Sequence, residues 1–595
     1  MSSLHAFYLD KIETCTGQIR QIRTKRNNIS FFRLLAFVAL AFSVYQLIIH
    51  FSFPLLWAAI GLLALFIVLV NIYFRLKERQ ALWEKLLWVN VNEEAQLKDQ
   101  PNGFPNGAEW LGPEGYLDDL DIFGPASVFQ SLNRTTTGHG ASALASLLRK
   151  SLQSEEDIRQ EQQAVRILSE QADTRQRLTA QGLLSAGRAG KGDLHSLGSW
   201  LAAPSRLHGR KEIIWTCRVL VAFNIGSLFY YLSSDNYIPL VGGILTCWAY
   251  TGYFNKYISK QHLLVGKQQA ILDQYAGILS VFNTAQTKDS SRLQNLRSRT
   301  GQAHQAIRQL SRLTSFFDQR LNMLVNTCLN GLILYNMQCM VALEKWKAVN
   351  KSFFPGWIDA VGSIERLNSL ATFAFNNPEY AYPTPVDASR PFVEAQAMAH
   401  PLISAQERIA NDLSAGSKEK LILVTGSNMS GKTTFLRTLG VNLLLAQCGA
   451  PVCAGSFSFT PMQLLTSLRV SDSLQEHTSY FMAELIKLQK IIHQLRTGLP
   501  ALVLIDEILR GTNSEDKTYG SEQFIRRLLA YPCLSLFATH DLSLGQMEQE
   551  MPDAVSNYCF ESTIEDGNLH FDYKLQRGIA RNRNASFLMK KMEII

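Results

Sequence analysis

The chain has 595 residues, too many for a single hydrophobic core, so more than one domain is required. Hydrophobic residues make up 47% of it and charged residues only 18%, a low charged share for a soluble protein, and membrane segments are therefore expected. The net charge of +8 suits a positive-inside membrane protein at least as well as a nucleic-acid binder and by itself assigns no DNA binding, while nine scattered cysteines without a C-x-x-C pair exclude a zinc signature and a dense disulfide framework.

Residues 1–30 are polar and basic for too long to form a cleavable signal peptide and are expected as a cytoplasmic N-terminal segment. Two apolar arms follow, Phe31 to Ile49 and Phe53 to Phe74. Each approaches the roughly 20 residues that span a bilayer as a helix, giving a transmembrane hairpin at 31–74; the alternative for this hairpin and for the second one below is a pair of buried core helices. Arg20, Arg23, Lys25, Arg26 and Arg33 precede or open the first arm, and Arg75, Lys77 and Arg79 follow the second. The turn between them has no Lys or Arg, so it belongs outside and the rest in the cytoplasm. Residues 75–120, with the Pro/Gly-rich run QPNGFPNGAEWLGPEG, read as a linker. From Ala126 to about Leu183 the pattern is helical, rich in charge and glutamine.

A second, weaker hairpin covers 213–254. Its arms, Ile213 to Leu232 and Tyr237 to Phe254, are interrupted by Arg218, Asn224 and several glycines, and Arg218 lies near enough to the start to snorkel. Arg206, Arg210 and Lys211 lie before it and Lys256 and Lys260 after it, while its SSDN turn is free of basic residues, so it takes the same orientation. From Gln261 to Phe317 the pattern is again helical, polar on one face. The next apolar stretch, Leu321 to Leu343, carries Asn322, Asn326, Asn330, Asn336 and Gln338. Amides are costly in lipid, so this stretch is expected as a helix buried in protein. From Leu421 onward short β-rich runs (LILVTG, ALVLIDE, LSLFATH) alternate with helical ones, the mark of a parallel α/β sheet.

Gly426 to Thr433 reads GSNMSGKT, the pattern G-x-x-x-x-G-K-[ST], after an apolar strand and before a helical run. Such a loop turns backbone N–H groups toward phosphate oxygens, and the helix that follows adds the positive end of its dipole. Lys432 is expected at the β- and γ-phosphates of ATP and Thr433 at a Mg²⁺ ion. Asp506, ending ALVLIDE, would reach the Mg²⁺ shell, and Glu507 would polarise the attacking water; the alternative for the pair is a helix N-cap. His540 ends LSLFATH and would sense or hold the γ-phosphate, the alternative being a structural strand-end histidine.

TGSNMSGKTTFLRTLGVN, VSDSLQEHTSYFMAEL, LVLIDEILRGTNSED and LFATH, in that order, resemble the ATPase domain of the MutS mismatch-repair family, one of the ABC-type ATPases. Asn428 and Met429 inside the loop are more specific than the general motif. The segment with Ser479, Phe481, Met482 and Glu484 resembles the family's signature. The resemblance implies that Ser479 acts in trans on the γ-phosphate of a partner subunit, and hence a homodimer. SVFQSLNRTTTGHGASALASLL with EQQAVRILSEQ is similar to the start of the family's helical core, and IERLNSLATFAFNNPEYAYPT to its end. AHPLI and RIANDLSAG resemble the segment that contacts the nucleotide, which adds Arg408 and Ile409 to the expected site, along with Gly426, Ser427, Ser430, Gly431 and Thr434 of the loop region. The implied fold is multidomain: transmembrane hairpins, an all-α MutS-like core (lever) domain in two parts (121–212 and 255–385), and a C-terminal α/β P-loop NTPase domain at 386–595.

The chain departs from the family in four places. No N-terminal mismatch-reading domain is visible, and the first hairpin occupies that part of the chain. The region between the two core parts is short and carries a hydrophobic hairpin where a DNA-embracing clamp is expected. Lys517 follows Asp516 where the family has glycine. Arg408 stands where an aromatic that stacks on adenine is expected, and its planar guanidinium can stack as well. The resemblance implies an ATPase driving conformational change, with DNA as a partner through the family alone. The alternatives are a membrane-associated mechanochemical ATPase that does not bind DNA, and a protein related to ABC-type transport.

Overall fold

The computed structural model describes residues 2–112, 114–186, 194–388, 390–427, 429–469, 480–509, 513–565 and 568–581. They form two compact units, one made of Met1–Glu94, Gln176–Ala285 and Asn295–Ile364, the other of Ala95–Arg175, Gln286–Gln294 and Glu365–Ile595.

Long helices build the first unit. Helix α1 (Ser2–Ile49) and helix α2 (Phe53–Gln96) run well past the apolar arms seen in the sequence. The polar N-terminal stretch stays helical because only Gly17 interrupts it and it holds no proline. Away from the turn, Cys15 and Leu86 pack with Ala180 into a small core that Leu82 and Trp83 border. Asn90 and Gln176 trade amide hydrogen bonds at 2.7 and 3.4 Å. Toward the turn, Phe31, Phe42, Trp57 and Ile67 are exposed.

The second hairpin consists of α3 (Lys211–Ser234) and α4 (Ile238–Val265). Among the described residues, α1, α2 and α3 are long and apolar enough to cross a membrane. Helix α4 is long but falls short in apolarity, diluted by Tyr250, Tyr253, Asn255 and Lys256.

The stretch Leu321 to Leu343 departs from its expected form as one helix buried in protein. It divides into α5 (Met323–Ile333) and α6 (Tyr335–Asn350), with Leu334 between them in the left-handed region at φ 51°. Its amides force the break: Asn330 Oδ1 accepts from the backbone N–H of Asn336 at 2.9 Å, and Asn336 Nδ2 donates to Asn326 Oδ1 at 2.9 Å, folding the chain back on itself. Helix α6 buries Met337, Met340 and Leu343 completely, but α5 leaves Met323 83% and Leu324 76% exposed.

The second unit carries two sheets. Its strands are β1 (Thr384–Pro385), β2 (Val393–Met398), β3 (Asn411–Ala415), β4 (Leu421–Gly426), β5 (Ser456–Phe459), β6 (Gln463–Ser467), β7 (Ala501–Asp506), β8 (Cys533–Thr539), β9 (Val555–Glu565) and β10 (Asn568–Arg577). The larger sheet has the order β10-β9-β4-β8-β7-β6, the smaller β1-β5-β2-β3. In the larger, β9, β4, β8, β7 and β6 run parallel and β10 closes one edge antiparallel to β9. Every residue of β4, β7 and β8 is buried, which is why their sequences are unbroken apolar runs without alternation. Helix α7 (Lys432–Gln447) follows β4, α8 (Tyr480–Leu495) precedes β7, and α9 (Ser514–Leu528) precedes β8. The small sheet, β6 and the β9–β10 hairpin are short or polar in sequence and were not among the expected elements.

Two expected boundaries move. The stretch read as a linker begins as the last turns of α2, and its remainder is folded into the second unit. Leu117, Leu120 and Ile122 are fully buried, and Asp119 between them has no exposure. Its carboxylate accepts from Thr466 Oγ1 (2.6 Å), from the N–H groups of Leu468 (3.1 Å) and Arg469 (3.0 Å), and from Lys487 Nζ (2.7 Å) on α8. A Pro/Gly-rich composition marks turns, and here the turns deliver a buried acid to the sheet. Likewise the two parts of the expected helical core divide between the units. Residues 365–385 and the helices Gly138–Arg149 and Glu155–Ser169 belong with the sheets. Glu365, fully buried, accepts from the N–H groups of Thr136 (2.8 Å) and Thr137 (3.2 Å) and from both hydroxyls. Glu161, equally buried, pairs with Arg366 at 2.7 Å and Arg292 at 2.6 Å.

Asp119→Ala would take the carboxylate from the Thr466 hydroxyl, from two N–H groups and from Lys487, which would keep only the Arg469 carbonyl at 2.8 Å, a loss of about 3 kcal/mol for a broken buried pair. The expected readout is faster amide hydrogen exchange over 463–469 together with a lowered thermal midpoint. Unchanged exchange there would refute the anchoring role.

Candidate functional site

The ends of three buried parallel strands and the start of one helix define the site. Strand β4 ends in Gly426 at φ 154°, and the loop passes through Met429 at φ 69° and Gly431 at φ 102° before α7 begins at Lys432. Glycine is required at two of these positions. A Cβ on Gly426 would lie 2.7 Å from Ser430 Oγ and 3.0 Å from the Phe560 carbonyl, and one on Gly431 would meet the Tyr573 ring at 3.0 Å. The loop is thus held tight against the sheet, with the first turn of α7 opening onto it.

The Lys432 ammonium turns back over this loop and donates to the carbonyls of Gly426 (2.8 Å) and Ser427 (2.7 Å). Thr433 Oγ1 donates to the carboxylate of Asp506, the last residue of β7. Glu507 follows at φ 53° with its N–H bonded to the Ala538 carbonyl on β8 at 2.9 Å, so the turn off β7 is fixed by the neighbouring strand. Its carboxylate is paired on one side with Lys517 Nζ of α9 and lies 3.5 Å from His540 Nε2 on the other. The other ring nitrogen of His540 is 2.9 Å from the Gly426 carbonyl and 3.4 Å from Lys432 Nζ.

A cavity of about 750 Å³ joins these groups. Of the residues expected from the sequence, Met429, Ser430, Gly431, Lys432, Thr433, Thr434, Asp506, Glu507, His540, Arg408 and Ile409 all line it. Gly426 and Ser427 stand behind it as acceptors for Lys432. Asn428 and Ser479 lie outside the described residues. In the segment after Ser479, Met482 is half-exposed and Glu484 is buried. Arg408 reaches the cavity with its guanidinium already engaged, donating to Tyr380 Oη at 2.9 Å and pairing with Glu379 at 3.4 Å.

Sequence reasoning missed His400, Phe560 and Tyr573 as lining residues. His400 sits 8% exposed, and burial pushes its pKa down to about 4, so it stays neutral and its Nδ1 accepts from the Leu402 N–H at 3.3 Å. His400 belongs to the AHPLI run, whose resemblance implies a nucleotide contact without assigning it to this side chain. Phe560 and Tyr573 come from β9 and β10, more than a hundred residues after the loop, and no local motif marks them. Tyr573 is left-handed at φ 53° within the register shift between Phe571 and Leu575, which aims it at the loop.

The donor set decides what could sit here. A helix N-terminus, a lysine and glycine-lined backbone suit a polyanion. The Ser430 hydroxyl, buried in the loop, has no hydrogen-bond partner among the described residues. A hydroxyl beside a carboxylate at Thr433 and Asp506 suits a hard divalent cation. Glu507, beside a histidine and a lysine, can accept a proton from a nucleophile. Residues 422–592, which hold Lys432, Asp506, Glu507 and His540, match the family model described as MutS domain V.

Proposed function

Because its C-terminal domain belongs to the MutS family, we propose that this protein is a membrane-anchored ATPase whose cycle of nucleotide binding and hydrolysis drives conformational change in a homodimer. The observation that carries the reading is the convergence of Lys432, Thr433, Asp506, Glu507 and His540 on one cavity from the ends of β4, β7 and β8 and the start of α7. Lys432 exchanges the carbonyls of Gly426 and Ser427 for the β- and γ-phosphate oxygens. Thr433 and Asp506 hold Mg²⁺, which when bound neutralises phosphate charge. Glu507 takes the proton of the attacking water, and His540 contacts the terminal phosphate. Arg408 and Ile409 border the space for the rest of the nucleotide. Ser479 of a second copy completes the site, as the family resemblance implies.

The anchoring rests on α1, α2 and α3, whose apolar arms are exposed and flanked by basic residues on one side only. DNA enters through the family alone.

The test is magnesium-dependent ATP hydrolysis by the full-length chain in lipid nanodiscs, measured with and without duplex or branched DNA at low salt. Hydrolysis alone supports the reading. Salt-dependent DNA binding would add a nucleic-acid partner. A preparation that neither retains nor cleaves ATP would refute it.

The Lys517–Glu507 pair yields a further expected outcome on the same site. A cation held on the carboxylate weakens its pull on a water proton. Lys517→Met is therefore expected to raise turnover at saturating ATP about threefold or more, a change of order 1 kcal/mol in barrier. A fall in turnover, measured by steady-state phosphate release, would show that Lys517 supports the reaction instead.

A further inference from the structure

We propose that α5 is a re-entrant membrane element, a half-length helix that enters the bilayer beside the second hairpin and turns back at Leu334, so that its exposed face meets lipid hydrocarbon. The inference rests on the membrane anchoring proposed above and adds a third element to the second hairpin.

Contacts with α3 and α4 track the path of α5. At its start, Arg320 Nη2 donates to Asn255 Oδ1 at 3.3 Å and to Ser259 Oγ at 3.1 Å, in the basic end of α4 that carries Lys256 and Lys260. One turn on, Trp248 Nε1 donates to the Thr327 carbonyl at 3.0 Å. At its far end, Gly331 packs so closely that a Cβ would lie 2.9 Å from Ile244 Cγ2 and 2.9 Å from Trp248 Nε1. The contacts thus climb α4 from its basic end toward the turn of the hairpin as α5 advances. Then Leu334 reverses the chain, and Asn336 returns to the level of Asn326 and Asn330. Eleven residues at about 1.5 Å each give roughly 16 Å, about half of a roughly 30 Å hydrocarbon layer.

The buried polar groups at the far end of α5 are bonded within the bundle. Asn224, 2% exposed in the middle of α3, donates from Nδ2 to the carbonyls of Gly331 (2.9 Å) and Leu332 (3.1 Å). Those two carbonyls end α5 and would otherwise face hydrocarbon without a donor. Asn330 Nδ2 donates to Asn326 at 2.7 Å, and Asn322 caps the helix start through the N–H groups of Leu324 and Val325. Close approach at glycine together with amides bonded across helices is how segments associate in a medium that supplies no hydrophobic drive between them. The outer face is apolar: Leu321, Met323 and Leu324 are each more than 60% exposed, continuing the exposed surface formed by Val219 and Phe223 of α3 and Leu245 of α4. Of the amides that argue against lipid in the sequence, Asn330 and Asn336 are buried in the bundle, Asn322 caps the start of α5 at the basic end, and Gln338 lies on α6 and donates to the Ile333 carbonyl at 2.6 Å.

Cys328, on α5, is the exposed cysteine among the nine; the other eight are buried. The experiment attaches a thiol-directed spin label to Cys328 of the full-length chain in phospholipid vesicles and compares its collision rates with oxygen and with a water-soluble nickel chelate. Cys328→Ser must abolish the signal, which assigns it. A second label, at Ile67→Cys of α2 in the Cys328→Ser chain, reports the first hairpin. The expected result is an oxygen-favoured ratio at Cys328 comparable to that at position 67. A chelate-favoured ratio at Cys328 with an oxygen-favoured one at 67 overturns this inference alone. Chelate-favoured ratios at both positions overturn the membrane reading and the inference with it.

Discussion

Glu507→Gln is expected to slow ATP turnover about 1,000-fold while leaving ATP bound, the magnitude typical of a lost general base. The change keeps shape and volume. The backbone that presents residue 507 is held independently of the side chain, by the N–H bond to Ala538 that keeps the residue at φ 53°. The glutamine can still face His540, but its amide cannot take a proton from water. Binding should survive because the groups assigned to phosphate and magnesium, Lys432, Thr433 and Asp506, are untouched. Two measurements separate the effects: steady-state phosphate release, and retention of labelled ATP on the purified chain. With hydrolysis blocked and binding intact, the ATP-bound dimer should accumulate and appear as a larger species by light scattering. Turnover within a few-fold of the unmodified chain would remove Glu507 from the role of water activator, whatever the binding result.

Lys432→Ala should act one step earlier and weaken binding as well as turnover. Lys432 is 6% exposed and its ammonium donates to two loop carbonyls at 2.7–2.8 Å, so the fold itself holds it over the loop. Each charge-assisted hydrogen bond lost to phosphate is worth about 1.5–3 kcal/mol, so affinity should fall by about 100-fold and turnover by more. Lys432→Arg should recover only part of this, because a planar fork does not replace a compact ammonium in a narrow loop. Membrane association should be unchanged in both variants, since the apolar helices belong to the other unit. Sedimentation of the membrane fraction checks this in the same preparation. Loss of membrane association together with loss of turnover would point to misfolding rather than to the site.

The sequence by itself determined the features that are local. Gly426 to Thr433 is a contiguous loop between a strand and a helix, and ALVLID and LSLFAT are strands whose burial forbids polar residues, so their ends, Asp506–Glu507 and His540, could be located from pattern alone. The apolar arms of α1, α2 and α3 were legible for the same reason, since a bilayer imposes length and composition on a single segment. Tertiary structure decided what depends on residues far apart. Asp119 lies at the end of the stretch that reads as a linker, just after its Pro/Gly-rich run, and only its meeting with Lys487, 368 positions later, makes it a buried anchor. Tyr573 enters the cavity through a bulge in a hairpin with no motif of its own. Lys517 is an ordinary helix lysine until α9 sets it on Glu507. In the asparagine-rich stretch, composition records how many amides there are but not that Asn330 and Asn336 are buried while Asn322 and Gln338 stay exposed. Pattern along a chain encodes what one segment needs from its surroundings. Which partner meets that need is set by contacts between segments distant in sequence, and those exist only once the chain has folded.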